Sequence, residues 1–122
     1  MAPEIFAGKP YSGFAVDLFA CGIILFIMVT KSPPFFKALP SDPLYLLLVE
    51  NNADKFWSAH SANKPAGFFS NEFKFLLEGL LQENPVIRFT MADVKASPWF
   101  NMNLPTAIEV KKEFAIRKEM IT

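Results

Sequence analysis

A mainly α domain of about five helices is what this sequence predicts, and three observations carry the prediction. Apolar residues recur at three- and four-residue spacing, most clearly at Phe73, Leu76, Leu77, Leu80 and Leu81. Helix starts and stops are marked by capping residues and prolines. No run of alternating strand pattern stands between them. At 122 residues the chain is long enough for one compact domain and too short for two.

Gly8, Pro10, Ser12 and Gly13 break any regular pattern, so residues 5–13 read as an exposed loop. Phe14 to Thr30 is then apolar on all sides, the signature of a helix at the centre of a bundle. Lys31-Ser32-Pro33-Pro34 stops it. Asp42 before Pro43 has the form of a helix start, with a short helix from Leu44 to Glu50. Residues 51–69 read as irregular, anchored by Phe56, Trp57, Phe68 and Phe69. Ser70 caps the helix bearing the five-residue stripe, and Asn84-Pro85 ends it. Thr90-x-x-Asp93 opens another short helix, closed by Ser97-Pro98. Thr106-x-x-Glu109 starts a tail helix with Val110, Phe114 and Ile121 on one face, expected to dock back on the bundle.

Composition excludes several function classes. The 52% hydrophobic content with 14 Phe is far from that of a disordered chain. Twelve basic residues face 12 acidic ones, so no cationic surplus exists for nucleic-acid binding. One cysteine, Cys21, and one histidine, His60, cannot supply a tetrahedral zinc set or an internal disulfide. Cys21 reads as a small hydrophobe inside the apolar helix and His60 as a surface histidine, neither with a catalytic partner in sequence. Only 13 uncharged residues, 18–30, separate Asp17 from Lys31, short of the roughly 20 a membrane span needs. Mean hydropathy is nevertheless +0.24, high enough to expect apolar surface meant for a partner or for further sequence.

Two charged residues stand out. Asp17 in an apolar helix is costly to bury without donors, and its place before the apolar run suggests burial as a structural anchor. Arg88 lies in the turn after the striped helix, where arginine often ties distant segments through a bidentate carboxylate pair. Sequence physics names no partner for it.

These residues fall into a known pattern. Met1-Ala2-Pro3-Glu4 resembles the Ala-Pro-Glu motif that ends a kinase activation segment. Asp17-Leu18-Phe19-Ala20-Cys21-Gly22 is similar to Asp-x-Trp-Ser-x-Gly of the central helix, with Phe19 for Trp and Ala20 for Ser. Pro33-Pro34-Phe35 follows as in the family. Asn84-Pro85-Val86-Ile87-Arg88-Phe89-Thr90 resembles Asp-Pro-x-x-Arg-x-Thr, and Ser97-Pro98-Trp99-Phe100 resembles His-Pro-Trp-Phe. The chain thus resembles the C-terminal portion of a eukaryotic serine/threonine protein kinase domain, of the calmodulin-dependent and AMP-activated type, over residues 1–102. Residues 103–122 form the tail.

The resemblance implies the helical large-lobe portion of a kinase-like fold, with the N-terminal lobe and the catalytic loop absent. It makes Ala2, Pro3, Glu4, Asp17, Gly22 and Arg88 structural motif residues. Glu4 would pair with Arg88, and Asp17 would accept hydrogen bonds from the catalytic-loop backbone. Ile24 and Met28 would support the column of side chains beneath the adenine. Ile27 stands where kinases that prefer basic substrates can carry an acidic residue. The Gly-rich loop, the ATP-binding Lys, His-Arg-Asp and Asp-Phe-Gly are not in this sequence. No catalytic, cofactor-binding or metal residue is therefore expected here, while ATP, magnesium and protein substrates are implied for a full-length parent. Met1 sits at an internal position of the family pattern, which suggests a truncated gene reading with a missing N-terminal portion. The expectations are an intracellular, cytoplasmic kinase fragment that is inert alone, or a non-catalytic, pseudokinase-like interaction module.

Overall fold

The computed structural model describes residues 1–101 and 107–121, and among them it forms seven α-helices and no strand. They are α1 (Pro3–Phe6), α2 (Gly13–Thr30), α3 (Pro43–Val49), α4 (Ala53–Ser61), α5 (Asn71–Leu80), α6 (Met91–Ala96) and α7 (Ala107–Ile121). Two exceed the sequence expectation. Proline at the first position of α1 is pre-set for a helical turn inside what reads as loop. In α4 the contacts of Phe56, Trp57 and His60, spaced by three and four residues, decide the fold over a polar sequence.

α2 and α5 form the central pair. Gly22 makes their close approach possible: a β-carbon there would lie 3.0 Å from Leu80 Cβ and from Leu81 Cδ2. The stripe of α5 closes the core, with Phe73, Leu76, Leu77, Leu80 and Leu81 each no more than 3% exposed. Phe26 of α2 is the hub of an aromatic cluster, its ring 4.7 Å from His60 and 6.1 Å from each of Phe56, Trp57 and Phe69. α2 ends at Lys31, whose φ of 64° is left-handed, with its amide donating to the Ile27 carbonyl.

Capping follows the sequence signals closely. Asp42 Oδ1 accepts the amides of Leu44 and Tyr45 at 3.0 and 3.2 Å, while Oδ2 accepts those of Phe36 and Lys37 at 2.8 and 3.2 Å. Burial opposes ionisation of Asp42, but these four amides outweigh it and hold the carboxyl below its usual range. One side chain thus caps α3 and fastens the connection from α2. Ser70 caps α5 through the Phe73 amide, and Thr90 with Asp93 forms the reciprocal box that opens α6.

Five expectations are corrected. Asp17 is exposed rather than buried, and so is Cys21, because both lie on a face of α2 that nothing among the described residues covers. α2 is consequently not enclosed on all sides. His60 is half-buried: its Nε2 lies 2.8 Å from the Pro34 carbonyl, and its ring meets Phe26 and Phe56 edge-on. Residues 111–119 of α7 are all exposed, Phe114 by 66%, so they do not dock on the bundle. The Thr106–Glu109 capping box and the side chains of Val110 and Ile121 lie outside the described residues.

Candidate functional site

Arg88 is delivered to the core by the turn between α5 and α6. Asn84 shapes that turn: its Oδ1 accepts the Val86 amide, and its carbonyl accepts those of Ile87 and Arg88. The Phe89 amide then donates to the Gly79 carbonyl at 3.0 Å, an approach for which Gly79 leaves room.

Arg88 is 2% exposed, and each of the five N–H donors of its guanidinium has an acceptor. Nη1 and Nη2 grip the two Glu4 carboxylate oxygens at 2.8 Å each, a bidentate fork across 84 residues of sequence. Nη1 also donates to the Ala15 carbonyl at 2.9 Å, Nε to that of Gln82 at 2.9 Å, and Nη2 to that of Glu83 at 3.2 Å. The Phe19 ring lies under the cation, 4.9 Å away. One side chain therefore ties α1, the start of α2 and the turn after α5 together. Hydrogen bonding to Arg88 holds the Glu4 carboxyl below its usual range, against the opposing effect of burial.

Beside this anchor the exposed side of α2 borders a cavity of about 490 Å³, lined by Phe14, Asp17, Leu18 and Cys21 on one side and Phe89 and Met91 on the other. The Asp17 carboxylate forms no hydrogen bond among the described residues. Further along α2, Ile24 is 56% and Met28 74% exposed. No group of three His, Cys, Asp or Glu residues converges among the described residues.

Three of the matched motifs now have a place. Ala2, Pro3 and Glu4 are buried together at α1, Gly22 is the contact of α2 with α5, and Arg88 binds Glu4. The model of the protein kinase domain matches residues 1–100. The chain belongs to the protein kinase family. CBL-interacting serine/threonine-protein kinase 24 of Arabidopsis thaliana is 36% identical over 104 residues, 84% of this chain and 21% of that kinase. Sucrose non-fermenting protein kinase 1 of Fusarium virguliforme is 30% identical over 113 residues, 92% of this chain and 14% of that protein. Serine/threonine-protein kinase SAPK2 of Oryza sativa subsp. indica is 30% identical over 120 residues, 98% of this chain and 33% of that protein. The chain spans a third or less of these kinases.

Within this kinase-derived chain, the anchor has members that the sequence reading did not identify: the Ala15, Gln82 and Glu83 carbonyls and the Phe19 ring. Backbone acceptors carry no sequence signal. Phe19 does, as an aromatic two residues after Asp17 in the central-helix motif.

Proposed function

We propose that this chain forms the helical floor of the large lobe of a serine/threonine kinase. It anchors the end of the activation segment and contributes to ATP-dependent phosphorylation of protein substrates only together with segments outside it. The Arg88–Glu4 fork carries this reading, because it fixes the Ala-Pro-Glu turn to the lobe with every donor used. The relatives' names support the serine/threonine type.

α2 is long and apolar enough to cross a membrane by length and composition alone. Its place inside the matched kinase domain favours a lobe helix whose open face is covered by the rest of the domain. On this reading Asp17 meets backbone donors, Ile24 and Met28 support the adenine column, and the whole protein works inside the cell.

The chain alone should not bind nucleotide. Calorimetry with Mg-ATP should give only the heat of dilution, and a micromolar isotherm would overturn catalytic incompetence. A second reading, a non-catalytic interaction module, is favoured by one observation: fourteen buried hydrophobic residues, from Ala2 to Leu81, already form one core cluster within the chain. Transcript sequencing separates the two. His-Arg-Asp and Asp-Phe-Gly codons in frame upstream support the kinase part, and a stop codon there supports the module.

A further inference from the structure

A second cavity, of about 370 Å³, lies between the end of α3, the start of α4, the last turns of α5 and the turn that follows. Leu48, Leu81 and Ile87 line it with hydrocarbon, and Glu78, Glu83 and Asn84 line it with polar groups. Its size is at the small end of the roughly 300–1,000 Å³ of ligand pockets, room for one long side chain rather than a folded segment. Its polar wall is fixed in place, because the Gln82 and Glu83 carbonyls accept hydrogen bonds from the buried Arg88.

Among the described residues no ion pair closes on Glu78 or Glu83, the charges in this wall, although Lys74 acts on Glu78 through space. Glu78 is half-buried, and burial pushes its carboxyl up from the ordinary glutamate range. Independently, the Trp57 indole N–H is buried and has no closed hydrogen bond. It faces the Glu78 carboxyl and favours its anion. A buried donor thus backs a carboxylate that also lines the cavity, and among the described residues no cation closes an ion pair with it.

We propose that this cavity takes an arginine side chain of a partner protein. Charge complementarity selects a cation, and the hydrocarbon wall selects one carried on an apolar stem. The planar guanidinium offers five donors and sheds water more readily than an ammonium, so arginine is favoured over lysine at a half-buried carboxylate. The site is separate from the α2 face and does not depend on the kinase reading.

The test is a chemical-shift titration of the 122-residue chain with the peptide acetyl-Leu-Arg-Leu-amide, alongside its citrulline and lysine counterparts. Shifts are expected at the amides of Asn51, Glu78, Leu81 and Ile87, with the citrulline peptide about tenfold weaker and the lysine peptide between them. Glu78→Gln keeps the cavity volume and removes one charge, and should weaken the arginine peptide about tenfold. Glu83→Gln, on an exposed residue, gives the same readout should the first variant misfold. Equal binding of arginine and citrulline peptides, shifts confined to the α2 face, or no shift up to about 10 mM peptide would each overturn the proposal.

Discussion

Phe19, Phe26 and Thr30 on one side of α2 are at most 5% exposed, whereas Ile24, Ile27 and Met28 on the other are 56%, 40% and 74% exposed. The two sides do not differ in chemistry, for both are apolar. They differ in what meets them. Gly22 admits α5 to one side, and the aromatic residues of α4 and the α4–α5 connection fill the space around Phe26. The other side has hydrocarbon and a carboxylate, Asp17, and among the described residues it is left open to solvent or to a cavity. An apolar run thus says that a helix will be covered on several sides, while tertiary partners decide which sides this chain covers.

The largest effects belong to the covered side and its anchor. Phe26→Ala should cost about 3–5 kcal/mol, because the lost ring leaves a hole among Phe56, Trp57, His60 and Phe69. Chemical denaturation should show it as a lower midpoint with an unchanged slope. Arg88→Met should cost a comparable 3–5 kcal/mol, roughly, since it strands the buried Glu4 carboxylate. Adding Glu4→Gln to Arg88→Met should restore part of that loss. Strict additivity of the two changes would show that the fork is not formed in solution.

How much of this was legible in the sequence divides by distance along the chain. Asp42, Ser70 and the Thr90–Asp93 box act within a few residues, so local chemistry alone placed the starts of α3, α5 and α6. The α5 stripe was equally plain, because helical spacing reports its own buried face. Arg88 could be singled out, but its partner lies 84 residues away, and only the motif resemblance named Glu4. Asp17 and Cys21 were misread for the reason the two sides of α2 teach: in an all-apolar helix, spacing does not say which face is covered. α4 was missed because Asn, Ser and Asp outnumber the residues whose burial holds it, Phe56 and Trp57. In the tail, spacing suggested one apolar face, yet Phe114 and Ile116 are exposed by 66% and 49%.

Smaller effects sharpen the comparison at the second helix of the covered pair. A β-carbon on Gly79 would lie 2.5 Å from three atoms of the Phe89 ring, and the Phe89 amide bond to the Gly79 carbonyl keeps that ring near. Gly79→Ala should therefore cost about 1–3 kcal/mol in strain, offset by up to about 1 kcal/mol of helix propensity. A net gain in stability would show that the ring swings away freely.

His60 supplies a pH-dependent check on the same packing. Burial holds its imidazole below the ordinary value of 6.5, against the opposing effect of the Pro34 carbonyl. The unfolded chain then binds the proton more readily, so stability falls as pH drops through 6.5 towards the folded value. Glu78 acts oppositely: burial raises its carboxyl, so its contribution is present at low pH and is lost as pH rises above 4.5. The two overlap, and the difference between the wild type and His60→Gln isolates the histidine. That difference should vary with pH between about 5 and 7. A flat difference would mean that the ring is as well solvated as a free histidine.

The smallest expected effect lies on the uncovered side. Met28→Gln and Ile24→Gln replace exposed apolar side chains by a polar one of similar reach and good helix propensity. Substitutions at sites without partners usually stay within about ±0.5 kcal/mol. Melting of the isolated chain should therefore barely move, and its solubility should rise as the exposed patch shrinks. The same changes in a chain that also carries the rest of the kinase domain should be costly, because a covering surface would then meet a buried amide without a partner. The pair of measurements separates two accounts of α2. If the isolated chain loses as much stability as Phe26→Ala, the open face is covered in solution, by self-association for instance. If neither chain loses stability, nothing covers that face in the kinase, and Ile24 and Met28 do not support the adenine column.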